Sequence, residues 1–137
     1  MTKKIVSIII AVTLFMASCK KENTPTITNE AIPTGMVLAS ANFVSDRHPT
    51  SGTVKVIEDV AKKRFLVFEN FKSDNGPDLR VWLSPNNNAT PYQEVGVLKA
   101  VSGNFYYELS PSINYTTNNR VLIWCEDVSV LFGYAVF

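Results

Sequence analysis

Few side chains in this 137-residue chain are suited to chemistry, and the two cysteines and the one histidine stand out. Cys19 closes the run Met16-Ala17-Ser18-Cys19, an apolar residue and two small ones before a thiol. Lys3 and Lys4 lie upstream, followed by a largely apolar stretch from Ile5 to Phe15. A basic start, a short apolar region and small residues at a cut make an export signal. The stretch is about half the ~20 residues that span a bilayer, which argues against a permanent transmembrane helix. Residues 1–18 are therefore expected to be a signal peptide, removed before Cys19. The Cys19 thiol is then the expected lipid-attachment site of an exported cell-envelope lipoprotein, at the outer membrane or periplasmic face. Each buried methylene contributes ~0.8 kcal/mol, so two or more acyl chains hold a protein stably at a membrane.

Lipid on Cys19 leaves Cys125 as the other thiol of the chain. Exported proteins usually pair their thiols, and Cys125 has no second cysteine to pair with. Three fates are open to it: a buried structural thiol, an intermolecular partner or a reactive group. Glu126 and Asp127 follow it directly. Carboxylates and apolar burial both oppose thiolate formation, and reactive cysteines prefer electropositive surroundings. Physics alone thus favours an inert Cys125. Its place at the end of an apolar strand and its solitary state argue the other way.

Other chemistry is thinly supplied. His48 lies in Asp46-Arg47-His48-Pro49, a loop before a strand, and reads as a solvated loop residue. One histidine is too few for a multi-histidine metal site, and no spacing ties it to Cys125. Asp74-Asn75-Gly76-Pro77-Asp78 offers oxygens that calcium could use. It does not match the twelve-residue calcium loop, and Asn-Gly-Pro is a turn signal by itself. Asn114-Tyr115-Thr116 has the glycan-acceptor pattern and reads as a polar loop. No glycine-rich phosphate loop leads into a helix. No metal or cofactor is called for, and no independent catalytic activity is expected.

These groups must be carried by strands. After cleavage 119 residues remain, enough for one domain. Loss of Lys3 and Lys4 leaves 11 basic against 12 acidic residues, so no basic field attracts nucleic acid. Residues 19–33 comprise Cys19 and a polar, proline-containing run that reads as a flexible tether. The domain then covers 34–137. Short runs of Val, Ile, Phe, Tyr and Thr broken by Gly, Pro, Asn and Asp predict strands at 36–40, 52–58, 64–71, 79–84, 95–101, 104–109, 120–125 and 128–136. Ser102-Gly103-Asn104 is expected to turn a hairpin. Glu58–Lys63 is too short for a stable helix. The expected fold is all-β: a single antiparallel β-sandwich or barrel-like domain of about eight short strands. In the strand at 120–125, Val121, Ile123 and Cys125 should face one way, and Leu122 and Trp124 the other.

Three stretches carry a family resemblance: HPTSGTVKVIED at 48–59, FENFKSDNGPDLRVWLS at 68–84, and RVLIWCEDVSVLFGYAVF at 120–137. The chain resembles the electron-transfer DM-thirteen domain family, which also occurs beside DOMON domains. The most specific feature is tryptophan-cysteine followed by an aromatic-glycine pair. The resemblance implies an all-β fold and a redox role for the single cysteine, here Cys125. No attached electron-carrying domain is evident, so a redox or envelope protein partner would be a separate molecule.

Two functions follow. In the first, Cys125 cycles through thiolate, sulfenic acid or a mixed disulfide, shielded by Trp124 and Phe132 and tuned by Asp78 and Asp127. In the second, a non-catalytic binding or structural lipoprotein uses Cys125 as core packing.

Overall fold

The computed structural model describes residues 24–137. The expected signal peptide, Cys19 and the first part of the expected tether lie outside the described residues. Ten strands occur among those described: β1 (Thr28–Asn29), β2 (Met36–Asn42), β3 (Val44–Ser45), β4 (Thr50–Glu58), β5 (Arg64–Ser73), β6 (Leu79–Ser84), β7 (Gln93–Val97), β8 (Ser102–Leu109), β9 (Arg120–Cys125) and β10 (Val130–Val136). They form two five-stranded sheets, β1-β8-β5-β4-β2 and β3-β10-β9-β6-β7. Every pairing is antiparallel except β1 with β8. The fold is an all-β sandwich, as expected. The extra strands are the two-residue pieces β1 and β3, too short to show a period of two.

Alternation builds the core between the sheets. Val54 and Val56 of β4, Val81 and Leu83 of β6, and Val121 and Ile123 of β9 all lie in it. Phe68, Phe71, Phe105 and Phe43 stack through it, with Phe68 and Phe105 centroids 4.8 Å apart. Such pairs contribute about 0.5–1.5 kcal/mol each beyond area burial. Phe68 and Phe71 are three apart, so a regular strand would send them to opposite faces. A bulge resolves this: the register of β5 shifts against β8 between Phe68 and Phe71, and against β4 at Gly52. Asn70 takes φ 48° and Gly52 φ 108° there. A Cβ on Gly52 would meet the Asn70 carbonyl oxygen at 2.7 Å, so the bulge needs glycine.

The expected hairpin at Ser102-Gly103-Asn104 is not formed. β7 pairs with β6 in one sheet and β8 with β5 in the other, so the chain crosses between sheets over residues 98–101. Leu98, Ala100 and Val101 are buried in that crossing. Gly103 lies inside β8, where a Cβ would strike the Thr28 carbonyl. Its freedom admits β1 alongside rather than turning the chain. That docking also changes the reading of residues 24–33. Val101 N–H donates to the Pro25 carbonyl, Glu30 N–H to the Asn104 carbonyl, and Glu30 pairs with Lys99 at 3.0 Å. This described part of the expected tether is strapped to the domain.

Tyr107 pins the crossing. Its hydroxyl donates to the Val97 carbonyl (2.8 Å) and accepts from Lys99 N–H (2.9 Å). Burial pushes the Tyr107 phenol well above its ordinary value, and the Glu30 charge adds to this. A raised pKa means stability that is full below about pH 10, the unfolded value, and lost as pH rises beyond it. Tyr107→Phe is expected to cost about 1–3 kcal/mol at neutral pH through the stranded Val97 and Lys99 groups. Urea melts across pH should also show that it removes part of the alkaline loss.

Candidate functional site

β9 is flanked by β6 and β10, and Cys125 is its last residue, opposite Leu79 and Val130. Cys125 is 0% exposed and belongs to the core between the sheets, with Val121 and Ile123. The predicted alternation holds, because Leu122 and Trp124 belong to a separate cluster with Trp82, Leu131 and Tyr134. Trp124 therefore lies across the sheet from Cys125 and does not shield it. Phe132 does lie in the Cys125 core.

Phe132 reaches that core through a second bulge. Leu131 pairs with Trp124 and Gly133 with Ile123, which leaves Phe132 as the extra residue. Its freed carbonyl accepts N–H donors from Asp46 (2.9 Å) and His48 (3.1 Å). The His48 ring stacks on Phe132 with centroids 3.9 Å apart, and Nδ1 lies 3.0 Å from Asp74 Oδ2. His48 is thus half-buried against an aromatic ring and braced by a carboxylate, not a freely solvated loop residue. Gly76 closes in as well, since a Cβ there would lie 3.1 Å from the Phe132 ring. The Asp74–Asp78 segment serves as a turn: Asn75 Nδ2 donates to the Thr24 carbonyl, and Asp74 is engaged by His48. Among the described residues no group of three or more His, Cys, Asp or Glu could hold a metal ion.

Asp78 is tied to the Cys125 end of β9 by two routes. Its carbonyl accepts Glu126 N–H at 2.9 Å. Its carboxylate takes Arg80 Nε at 2.7 Å, while Arg80 Nη1 reaches Glu94 at 2.7 Å and Glu126 lies 3.4 Å from Nε. One guanidinium thus gathers three carboxylates over the rim, and Asp78 and Glu94 push its pKa above the ordinary arginine value. Sequence reasoning missed Arg80 and Glu94 as site residues; alternation at Asp78-Leu79-Arg80 puts Asp78 and Arg80 on one face, and no local signal points to Glu94 on β7. Asp127 lies in the exposed turn between β9 and β10.

The model of one family, described as Electron transfer DM13, matches residues 42–137. The chain belongs to this family. Comparisons with curated proteins and with solved structures find no match. The DM13 match takes in β3 to β10 with Cys125, the Phe132 bulge and the Arg80 cluster, and it begins at the end of β2, after the strap formed by residues 24–33.

Arg80 joins carboxylates from three segments, so its fork geometry matters beyond its charge. Arg80→Met is expected to destabilise the domain by about 1–2 kcal/mol, as for a small surface network losing its hub. Arg80→Lys should recover only part of that loss in chemical denaturation. Equal stability of the lysine variant and the wild type would show that charge alone suffices.

Proposed function

We propose that this chain is an exported lipoprotein, held to the cell envelope by lipid on Cys19, whose DM13 domain works in electron transfer through Cys125. The observation that carries the reading is the match to an electron-transfer family over a region with a single thiol. Redox exchange would proceed with a separate partner. The Cys125 thiolate attacks a partner disulfide, a mixed disulfide forms, and the displaced partner sulfur leaves as thiolate. Full burial sets the terms of that exchange. The Glu126–Ser129 turn, exposed throughout, must open before Cys125 meets another sulfur.

The same burial supports a second reading, a binding or structural lipoprotein in which Cys125 is a packing residue. Small buried thiols serve well in that role. The two readings part on one variant. In the first, Cys125→Ser folds and loses the redox response of cells to thiol oxidants, and native Cys125 reacts slowly with a maleimide at a rate set by turn opening. In the second, the thiol reacts only on global unfolding, and Cys125→Ala costs about 1–2 kcal/mol with no redox phenotype.

The anchor is tested separately. Cells fed an alkyne-tagged fatty acid should label the wild type and not Cys19→Ser, and the variant should leave the membrane fraction. Equal labelling of both would refute Cys19 as the attachment point.

A further inference from the structure

The outer face of the β3-β10-β9-β6-β7 sheet carries an ordered run of aromatic rings. Trp82 of β6 stacks on Tyr92 with centroids 3.7 Å apart and planes 12° apart. It also stacks on Trp124 of β9, at 5.3 Å and 19°. Trp82 pairs with Leu122 across the strands, so Trp124 is its diagonal neighbour on the same face. The middle ring is sealed, at 5% exposure, whereas Tyr92 is 46% exposed. Trp124 lines a cleft of about 400 Å³ with Asp46, Arg47, Asn87, Asn88 and Leu131. The run therefore has one end at a cleft, an interior member and one end in water.

Its protonic features differ along the run. A buried indole N–H usually finds an acceptor. Trp82 Nε1 finds none among the described residues. An oxidised Trp82 thus has no hydrogen-bonded base to take its proton, since its cross-strand neighbour Glu94 is engaged by Arg80, and it stays a cation radical that readily accepts an electron from a neighbouring ring. Tyr92, open to water, can release the phenolic proton when it gives up an electron.

From this geometry we infer that Tyr92, Trp82 and Trp124 form a one-electron relay. The inference rests on the electron-transfer reading of the domain but not on Cys125. A high-potential, metal-centred one-electron oxidant at the cleft takes one electron from Trp124. Trp82 refills Trp124, Tyr92 refills Trp82, and the Tyr92 phenol gives its proton to water. The oxidant has gained one electron, and Tyr92 has lost one electron and one proton to become a neutral phenoxyl radical. A one-electron donor of the enediol or thiolate class then returns the electron at the exposed end, and water returns the proton. No bond to carbon is made or broken.

Flash-quench photolysis of the full chain in detergent tests this, with a ruthenium polypyridyl complex as oxidant and freeze-quench paramagnetic resonance as readout. The wild type should show a tryptophan radical that decays as a tyrosyl signal rises. Trp82→Phe, with Trp82→Leu as a second interruption, should lower tyrosyl yield several-fold and prolong the Trp124 radical. Tyr92→Phe, a change at an exposed ring, should abolish the tyrosyl signal and leave the tryptophan radical long-lived. Undiminished tyrosyl yield in a folded Trp82 variant, or a signal that persists in Tyr92→Phe, overturns the relay. Cys125→Ser should leave the tyrosyl signal intact; its loss would place the thiol on the path of the electron from Tyr92 and overturn the relay. Failure of the Cys125 redox reading is registered independently, by an unchanged cellular response in that variant.

Discussion

Strand β9 has to bury both of its faces, and much of the domain is arranged to let it. It runs between β6 and β10, with Val121, Ile123 and Cys125 against the core and Leu122 and Trp124 on the far side. A sandwich normally covers one face of each sheet and leaves the other to water. Here the outer face carries its own apolar layer, capped by Tyr92 and the loop before it. The thiol and the tryptophan are adjacent in sequence and on opposite faces for the same reason, the two-residue period of a strand.

The two bulges are what adapt regular strands to this demand. At Asn70 the extra residue brings Phe71 onto the face of Phe68. At Phe132 it places a large ring in the core and frees a carbonyl that collects the Asp46 and His48 amides. Gly133 follows because a Cβ there would lie 2.4 Å from the Thr50 side chain. The aromatic-glycine pair near the end of the chain therefore has a mechanical meaning: the aromatic fills the rim of the core, and the glycine lets β10 approach β4. The His48 ring and the Asp74–Asp78 turn then close over Phe132, and Arg80 knits the neighbouring carboxylates.

Burial of Cys125 bears on both functional readings. A thiol sealed in apolar packing is a poor partner for a second protein while the fold is closed. Electrons are less demanding than sulfur atoms, since they need close rings rather than collision of reacting groups. The outer-face stack provides such rings beside Cys125 along the chain, and it reaches the surface at both ends.

The β class, most of the strands and the facing of residues 121–125 were legible in the sequence, because alternation and turn residues act over a few positions. So was a turn within Asp74–Asp78, which falls at Pro77–Asp78. The sequence could not reveal that residues 98–101 cross between sheets, because β7 and β8 find their partners in β6 and β5, chosen by distant packing. For the same reason it hid the strap at 24–33, since a polar segment docks only where Gly103 leaves room for it. The expectation that Trp124 shields Cys125 conflicted with the alternation read from the same strand, and the structure decided for alternation. Local period determined which face each residue takes. Only the tertiary structure decided what covers that face: for Cys125 a sealed core, and for Trp124 a stacked indole and an open cleft.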